Sequence, residues 1–552
     1  MTNLIEHPRH PLGSSARVLL TSVYGPYAQD DEYGSRALNP MELYHNQVTR
    51  VQQVFSLRMF HRSWGLMLIR DNITAPCTLL DFPTLDRFIE EITTKQYDIV
   101  GISAIQPNIG KVQKMCQLIR DHLPSATIVV GGHVANARDL HLRIDADHIV
   151  MGEGIRWMRR FLSEDPERPI RHPHVLSGVG ARVMGITLRE KPRDVAATLI
   201  PSVGCPMGCN FCATSAMFGG KGKFFHFYET GDELFEVMCE LEQALHVRSF
   251  FVMDENFLLY RKRALRLLDL MVKFGKSWAL YLFSSAHTLR HYTIEQLVAL
   301  GVSWVWMGLE GDGANYTKLR GTDTHKLVRT MQSHGIRVLG STIIGLENHT
   351  PDNIDAVIDH AVSYDTEFHQ FMLYTPISGT PLYEEHLAAG TLVDPEQCPE
   401  ADTHGQYRFA HKHAHIRDGQ ETQYLRNAFN RDFMINGPSI VRVVRTTLQG
   451  WRRYKNHPDT RIRKRFVWEA RDLSVRLCGM VWVARRWFRS DPVLKLRMSH
   501  ILQDLYREFG LKARVAGPVI GRYIRFMARR EARRLRRGWT YEPPTFYETR
   551  NV

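Results

Sequence analysis

Cys205, Cys209 and Cys212 gather three of the chain's eight cysteines into the pattern C-x3-C-x2-C, with Phe211 just before the last and glycines at 204 and 208. Thiols so spaced can close a zinc site, form disulfides or hold an iron–sulfur cluster. A structural zinc site needs a second pair of ligands at C-x2-C or H-x3-H spacing. None follows nearby, and His226 is the single close candidate. A disulfide framework belongs to small secreted domains, whereas a chain of 552 residues buries its own cores. The other cysteines, Cys77, Cys116, Cys239, Cys398 and Cys478, are scattered and read as ordinary interior thiols. Three thiolates can hold three irons of a four-iron cluster and leave the fourth open to a ligand, whereas an electron carrier uses four. Gly208 lets the loop wrap closely. An open iron implies chemistry rather than storage.

The elements that must position this loop follow in order. LIPSVGC (199 to 205) leads into it as a strand, and SFFVMDENFLL (249 to 259) is a second apolar run ending in acidic and amide groups. ALYLFSSA (279 to 286), VSWVWMGLEG (302 to 311), GIRVLGSTIIGLE (335 to 347) and FHQFMLYTPISGTPLY (368 to 383) continue the series, separated by helical-period segments such as KRALRLLDLMVKFG (262 to 275). Alternating strand and helix imply a parallel sheet with right-handed crossovers. Polar residues where strands end mark the catalytic rim.

This arrangement resembles the radical S-adenosylmethionine (SAM) superfamily, in which the amino and carboxylate groups of SAM chelate the unique iron. The resemblance implies a [4Fe-4S] cluster on Cys205, Cys209 and Cys212, with Phe211 beside it. It further implies that Asp254, Glu255 and Asn256 hold the SAM amino group and that Glu310 approaches its methionine and ribose. Ser285 is expected at the ribose, and Gly345 with Leu346 along the adenine. As carboxylates at strand ends, the acidic residues have an alternative as helix caps.

The N-terminal third carries a second signal. RVLLTSV (17 to 23), CTLLDFP (77 to 83), YDIVGISAI (97 to 105), TIVVGGHVAN (127 to 136) and ADHIVMGEG (146 to 154) alternate with helical segments, the pattern of a doubly wound α/β domain. Gly131, Gly132, Gly152 and Gly154 at strand ends let a ligand approach the backbone. No G-x-G-x-x-G is present, which argues against a dinucleotide. The domain resembles the cobalamin-binding fold, with Ser103-Ala104-Ile105 in the place of its S-x-L element and Gly131-Gly132 in that of its G-G element. The resemblance implies a cobalamin site built from Ser103, Ile105, Gln106, Gly131, Gly132, Gly152, Glu153 and Gly154. The family's D-x-H-x-x-G is absent, since the loop after the first strand reads GPYAQDDEYGS (25 to 35) with no histidine. Tyr24, Tyr27 and Gln106 are the candidates for the lower face of the cofactor.

The expected architecture is therefore α/β: a cobalamin-binding domain over 1–165, a linker over 166–195 that includes EDPERPIRHPH (164 to 174), a partial (β/α)6 radical SAM barrel over 196–400, and a basic, mostly helical region over 401–552. Charge divides along the same line. Residues 441 to 552 hold 28 Lys and Arg against 9 Asp and Glu, a net of +19, while the preceding residues sum to −6. RDLSVRLCGMVWVARRWFRS (471 to 490) and GRYIRFMARREARRLRRGW (521 to 539) place apolar stripes beside arginines. Such stretches either bury their stripe on the barrel or meet an anionic membrane surface or nucleic acid. In THGQYRFAHKHAHI (403 to 416), His411, His413 and His415 alternate, as a surface tract or a set of metal ligands would. No run of apolar residues is long enough to span a bilayer, and no signal-peptide pattern opens the chain. A cytoplasmic location is expected, with peripheral association at the inner membrane surface.

By resemblance the chain is a cobalamin-dependent radical SAM C-methyltransferase acting on an unactivated carbon of a small molecule or lipid, with a general likeness to hopanoid methylases. An electron donor such as flavodoxin or ferredoxin is implied. A radical cyclase or rearrangement enzyme would share the same motifs. A radical SAM RNA-modifying enzyme would explain the arginine-rich tail, but methylthiotransferases of the superfamily carry a second cysteine triad, and the N-terminal domain here offers Cys77 and Cys116 alone.

Overall fold

The computed structural model describes residues 7–25, 32–33, 41–188, 190–310, 323–539 and 541–550. Tyr27 lies outside them. In the N-terminal unit, Val18–Ser22, Cys77–Asp81, Ile99–Ser103, Thr127–Gly131 and His148–Ile149 pair in parallel, in the order second, first, third, fourth, fifth. The strands are apolar at nearly every position because both faces are covered. Leu19 packs toward helices Leu85–Thr94 and Ile109–His122, whereas Val18 and Leu20 pack toward Trp64–Asn72 and Gly154–Phe161. This is a doubly wound fold, whose ligand crevice lies beyond the carboxyl ends of the strands.

The second sheet runs Ala197–Leu199, Ser249–Val252, Ala279–Phe283, Val302–Gly308, Arg337–Ile344 and Phe368–Leu373, all parallel and in sequence order. Its crossover helices bury their apolar faces against one side of the strands in a single core around Trp278, Leu280, Val305 and Val338. The other side curls around an aromatic interior. Phe283 and Trp306 stack at 5.1 Å, and Trp304 and Phe368 at 5.3 Å. The N-terminal unit contributes to this interior, since Tyr44 and Val48 of the turn Leu43–Val48 pack on Phe368, Leu339 and Trp304.

One feature departs from the sequence-based expectation and two refine it. The stretch read as a linker is structured: Val179–Val183 and Ile186–Thr187 form a hairpin that pairs with Arg58–Phe60. The C-terminal region is helical up to Arg536, but Phe546–Arg550 then returns as an antiparallel edge strand on Cys77–Asp81. Arg62 stacks on Phe546 at 4.1 Å and donates to Glu548 at 2.9 Å, tying the two ends of the chain together. Thirdly, the stripe in 471–490 is core. Leu473 and Met480 are fully buried, Leu477, Trp487 and Phe488 pack against the same cluster, and Arg471 pairs with Asp194 at 2.9 Å. Among the described residues no helix is long and apolar enough to cross a membrane.

Candidate functional site

The cysteine loop is clamped at both ends. Ser202–Gly204 pairs antiparallel with Phe224–His226, and the helix Ala213–Met217 begins at Cys212, whose Sγ accepts from Ser215 N at 3.4 Å. Ser215 Oγ donates back to the Cys205 carbonyl at 3.1 Å. Gly208 has φ +62, and a Cβ there would lie 2.4 Å from Cβ of Lys221, so the returning strand presses on the loop where only glycine fits. The far side is stitched to the last barrel strand, where Asn210 Nδ2 donates to Tyr374 Oη at 3.0 Å and Phe211 packs on Leu346 and Tyr374.

Among the described residues no three His, Cys, Asp or Glu side chains converge on one metal ion. The three cysteines are nevertheless near enough to act on one another: burial pushes the Cys205 thiol up to about 12 and Cys212 up to about 11, with Glu255 and the neighbouring cysteines adding to the shift. Thiols in such a setting ionise only against strong positive charge, which an iron cluster touching each thiolate at a different iron supplies. Three neighbouring thiols on one loop are a donor set that fits that group.

The structure separates the three adjacent residues of Asp254-Glu255-Asn256. Asp254 is buried and paired with Arg263 at 2.6 Å, and it also accepts from Ser202 Oγ and from Asn256 N. Asn256 Nδ2 donates to Ser285 Oγ at 3.4 Å and Thr288 Oγ1 at 3.2 Å, and its Oδ1 accepts from Ser284 at 3.1 Å. Ser285 caps the helix Ala286–Leu289. The carboxylate left open is Glu255. Its side chain is accessible, yet desolvation by the surrounding protein, helped by Asp254, pushes it up to about 7. Its charge acts on Cys205 and Cys212, so it lies near the cysteine loop. Glu310 is buried at the end of Val302–Gly308.

Gly345 has φ +81, and the Gly345 and Leu346 amides both donate to His349 Nδ1, at 3.0 and 3.2 Å. His413 Nε2 meets the Leu346 carbonyl at 3.1 Å, and Phe409 packs on Gly345 so closely that a Cβ would lie 2.2 Å from its Cζ. The histidine stretch divides, with His415 exposed and the other two histidines turned to packing. His411 is buried, and His413 fixes the loop after Ile344 from behind. His349 and Phe409 escaped sequence reasoning, and His413 was read for its spacing alone because its partner, Leu346, lies 67 residues away.

Across the domain boundary, Ser103, Gly131, Gly132, Gly152, Glu153 and Gly154 line a largely apolar cavity of about 160 Å³. Its opposite wall is Val203, Met217 and Phe218 from either side of the cysteine loop. A Cβ on Gly131 would meet nothing nearer than the Val150 carbonyl at 3.8 Å, and one on Gly152 nothing nearer than that of Met217, also at 3.8 Å. Both glycines thus leave space that a side chain would fill, a cradle suited to a slender part of a cofactor lying against backbone. Glu153 spends its carboxylate capping the helix at Ile155 N and Arg156 N. Ile105 and Gln106 do not line the cavity, and Gln106 is committed to the Ser378 carbonyl at 2.6 Å. Tyr24 is buried against Tyr33. His133, which the sequence reading passed over, reaches Thr214 Oγ1 at 3.4 Å and so joins the glycine loop to the helix after Cys212.

Comparison with known proteins accords with this geometry. The B12 binding domain family matches residues 68–161 and the Radical SAM superfamily matches residues 199–361. An uncharacterized methyltransferase of Pyrococcus horikoshii is 24% identical over 332 residues, 54% of this chain and 71% of that one. The hopanoid C-2 methylase of Rhodopseudomonas palustris is 22% identical over 348 residues, 60% of this chain and 62% of that one. In fold, the chain is similar to the radical SAM methyltransferase TsrM of Kitasatospora setae, solved with cobalamin and a [4Fe-4S] cluster, at TM-score 0.50 and 16% identity over 83% of this chain and 99% of that one.

Proposed function

The chain belongs to the cobalamin-binding radical SAM enzymes, and from that premise we propose that it transfers a methyl group to an unactivated carbon of a hydrophobic substrate, with a polycyclic lipid of the hopanoid kind as the favoured class. The observation that carries the methyl-transfer reading is the shared cavity: the glycine cradle of one domain and Met217 and Phe218 beside the cysteine loop of the other face the same space. When bound by the two domains, a [4Fe-4S] cluster, SAM and cobalamin supply hydrogen abstraction and a methyl donor. The protein's part is position and the exclusion of water.

Within this proposal Cys205, Cys209 and Cys212 hold the cluster, and Glu255 accepts the SAM ammonium. A carboxylate raised by burial is restored to its charged form by such a cation. Asp254 and Asn256 act through others, Asp254 by holding Ser202 at the foot of the cysteine loop and Asn256 by fixing Ser285. The Gly345–Leu346 backbone, held by His349 and His413, offers an edge for the adenine. The aromatic interior formed by Phe283, Trp306 and Trp304 supports an apolar substrate, as does the likeness to the hopanoid methylase. A small one-electron donor completes the system, and the enzyme meets a lipid substrate at a membrane surface.

The test is anaerobic turnover of the reconstituted enzyme with polycyclic lipids and SAM carrying a deuterated methyl group. The expected product gains one labelled methyl, with 5′-deoxyadenosine and S-adenosylhomocysteine formed together. A product of unchanged methyl content, with a new ring, refutes methyl transfer and identifies a cyclase.

A further inference from the structure

The final helical segment, Pro492–Arg536, breaks at Gly510 (φ 58, ψ -139), and its second half is unevenly used. Past Gly510 it packs on Cys478–Trp487 through a seam of small residues: Ala513, Gly517, Gly521 and Ala528 are all buried. The approach is close, since a Cβ on Gly517 would lie 2.6 Å from Cys478 Sγ and one on Gly521 2.6 Å from Trp482 Cε3. The face turned away is apolar as well. Leu511 is 76% exposed, Val515 56%, Val519 55%, and Tyr523 and Phe526 58% each. These residues recur at steps of four and three, so they form one ladder along the helix. Contiguous exposed apolar surface of this kind marks an interaction site.

The charge around the ladder indicates what covers it. Between Glu508 and Glu531 the sequence contains Lys512, Arg514, Arg522, Arg525, Arg529 and Arg530 and no acidic residue. The same face continues past Phe526 into Arg529, Arg533 and Arg536, which with Arg58, Trp487 and Trp539 line a groove of about 1000 Å³. His45, in the groove wall, accepts from Arg58 through Nε2 at 2.9 Å, which leaves Nδ1 as the ring's donor, without a hydrogen-bond partner among the described residues. An apolar ladder on a helix that carries cations and no acidic residue from 509 to 530, ending in a groove where Arg58 is paired with Glu42 and Arg529, Arg533 and Arg536 are exposed, matches an interface of acyl chains beneath anionic headgroups.

We propose that this face docks the enzyme on an anionic phospholipid bilayer, with Leu511 to Phe526 entering the headgroup layer and the arginine groove taking lipid phosphates. The inference deepens the reading of a lipid substrate met at a membrane and rests on it for its purpose. Docking is measured without turnover, so its failure leaves methyl transfer untouched.

The experiment is flotation of the full chain with phosphatidylcholine vesicles with and without phosphatidylglycerol. Strong binding to the anionic vesicles at low salt, and little to the neutral ones, is expected. Leu511→Ser/Phe526→Ser, both at exposed positions, should lower the partition coefficient by roughly a hundredfold. Arg529→Gln/Arg533→Gln/Arg536→Gln should do the same at low salt, from about fivefold per basic residue, with the difference fading as salt is added. Equal binding by the ladder variant and the parent overturns the proposal. So does a parent that is dimeric by light scattering and becomes monomeric in the ladder variant without binding vesicles, or one that retains RNA but no vesicles.

Discussion

Replacing Arg263 by Met removes one half of a buried pair and tests whether Asp254 is a structural hub. Arg263 and Asp254 are 2% and 4% exposed and meet at 2.6 Å. Arg263 also donates to the Tyr228 carbonyl at 3.2 Å and lies 5.2 Å from the Phe257 and Tyr260 rings. Without the guanidinium, the Asp254 carboxylate keeps only Ser202 Oγ and Asn256 N, which do not neutralise it. Leaving one buried charge unpaired costs about 3–5 kcal/mol. At about 2–4 °C per kcal/mol for a unit of this size, the barrel should melt roughly 6–20 °C lower by calorimetry. Ser202 stands at the start of the strand that delivers Cys205, so bound iron should fall as well. Arg263→Met/Asp254→Asn removes the charge with its partner and should recover at least half of the loss. A single variant that melts within about 2 °C of the parent, or a double variant no better than the single one, would refute the reasoning.

Other perturbations probe separate parts of the site. Cys205→Ala, Cys209→Ala or Cys212→Ala should each abolish the thiolate-to-iron charge-transfer absorption and SAM cleavage, while Cys239→Ala should do neither; full iron in Cys209→Ala would contradict the assignment. Gly131→Val fills the cradle without striking backbone, given that its nearest neighbour is the Val150 carbonyl at 3.8 Å, and should remove cobalamin from the absorption spectrum while iron stays at the parent level. Burial holds His61, His172, His349, His369 and His404 at about 4, below the ordinary 6.5. These groups bind fewer protons folded than unfolded, so their contribution is complete above pH 6.5 and is lost as pH falls toward 4, by about 1.4 kcal/mol per pH unit for each proton. Thermal melts of the cluster-free chain should show that decline, and His349→Asn, whose Oδ1 keeps an acceptor for the Gly345 and Leu346 amides, should make it shallower by one proton.

Much of this protein was legible in its sequence because the signals are local. The cysteine spacing, the short apolar runs and the glycines at strand ends are each contained in a few residues, and they carried the resemblance that implied the family, the order of the two α/β units and the cofactors. The tertiary structure decided which of several chemically equivalent residues does what. Asp254 and Glu255 are neighbours of the same type, and Arg263 and Ser202, brought in by folding, engage the first and leave the second open. His349, His411 and His413 are indistinguishable from surface histidines until Phe409 is packed against Gly345. The helix beyond Gly510 has apolar residues on two sides, and helical periodicity gives them equal weight. Its buried side was settled by close approach: Gly517 and Gly521 admit Cys478 and Trp482, so the larger Leu511, Val515, Val519, Tyr523 and Phe526 are left outside.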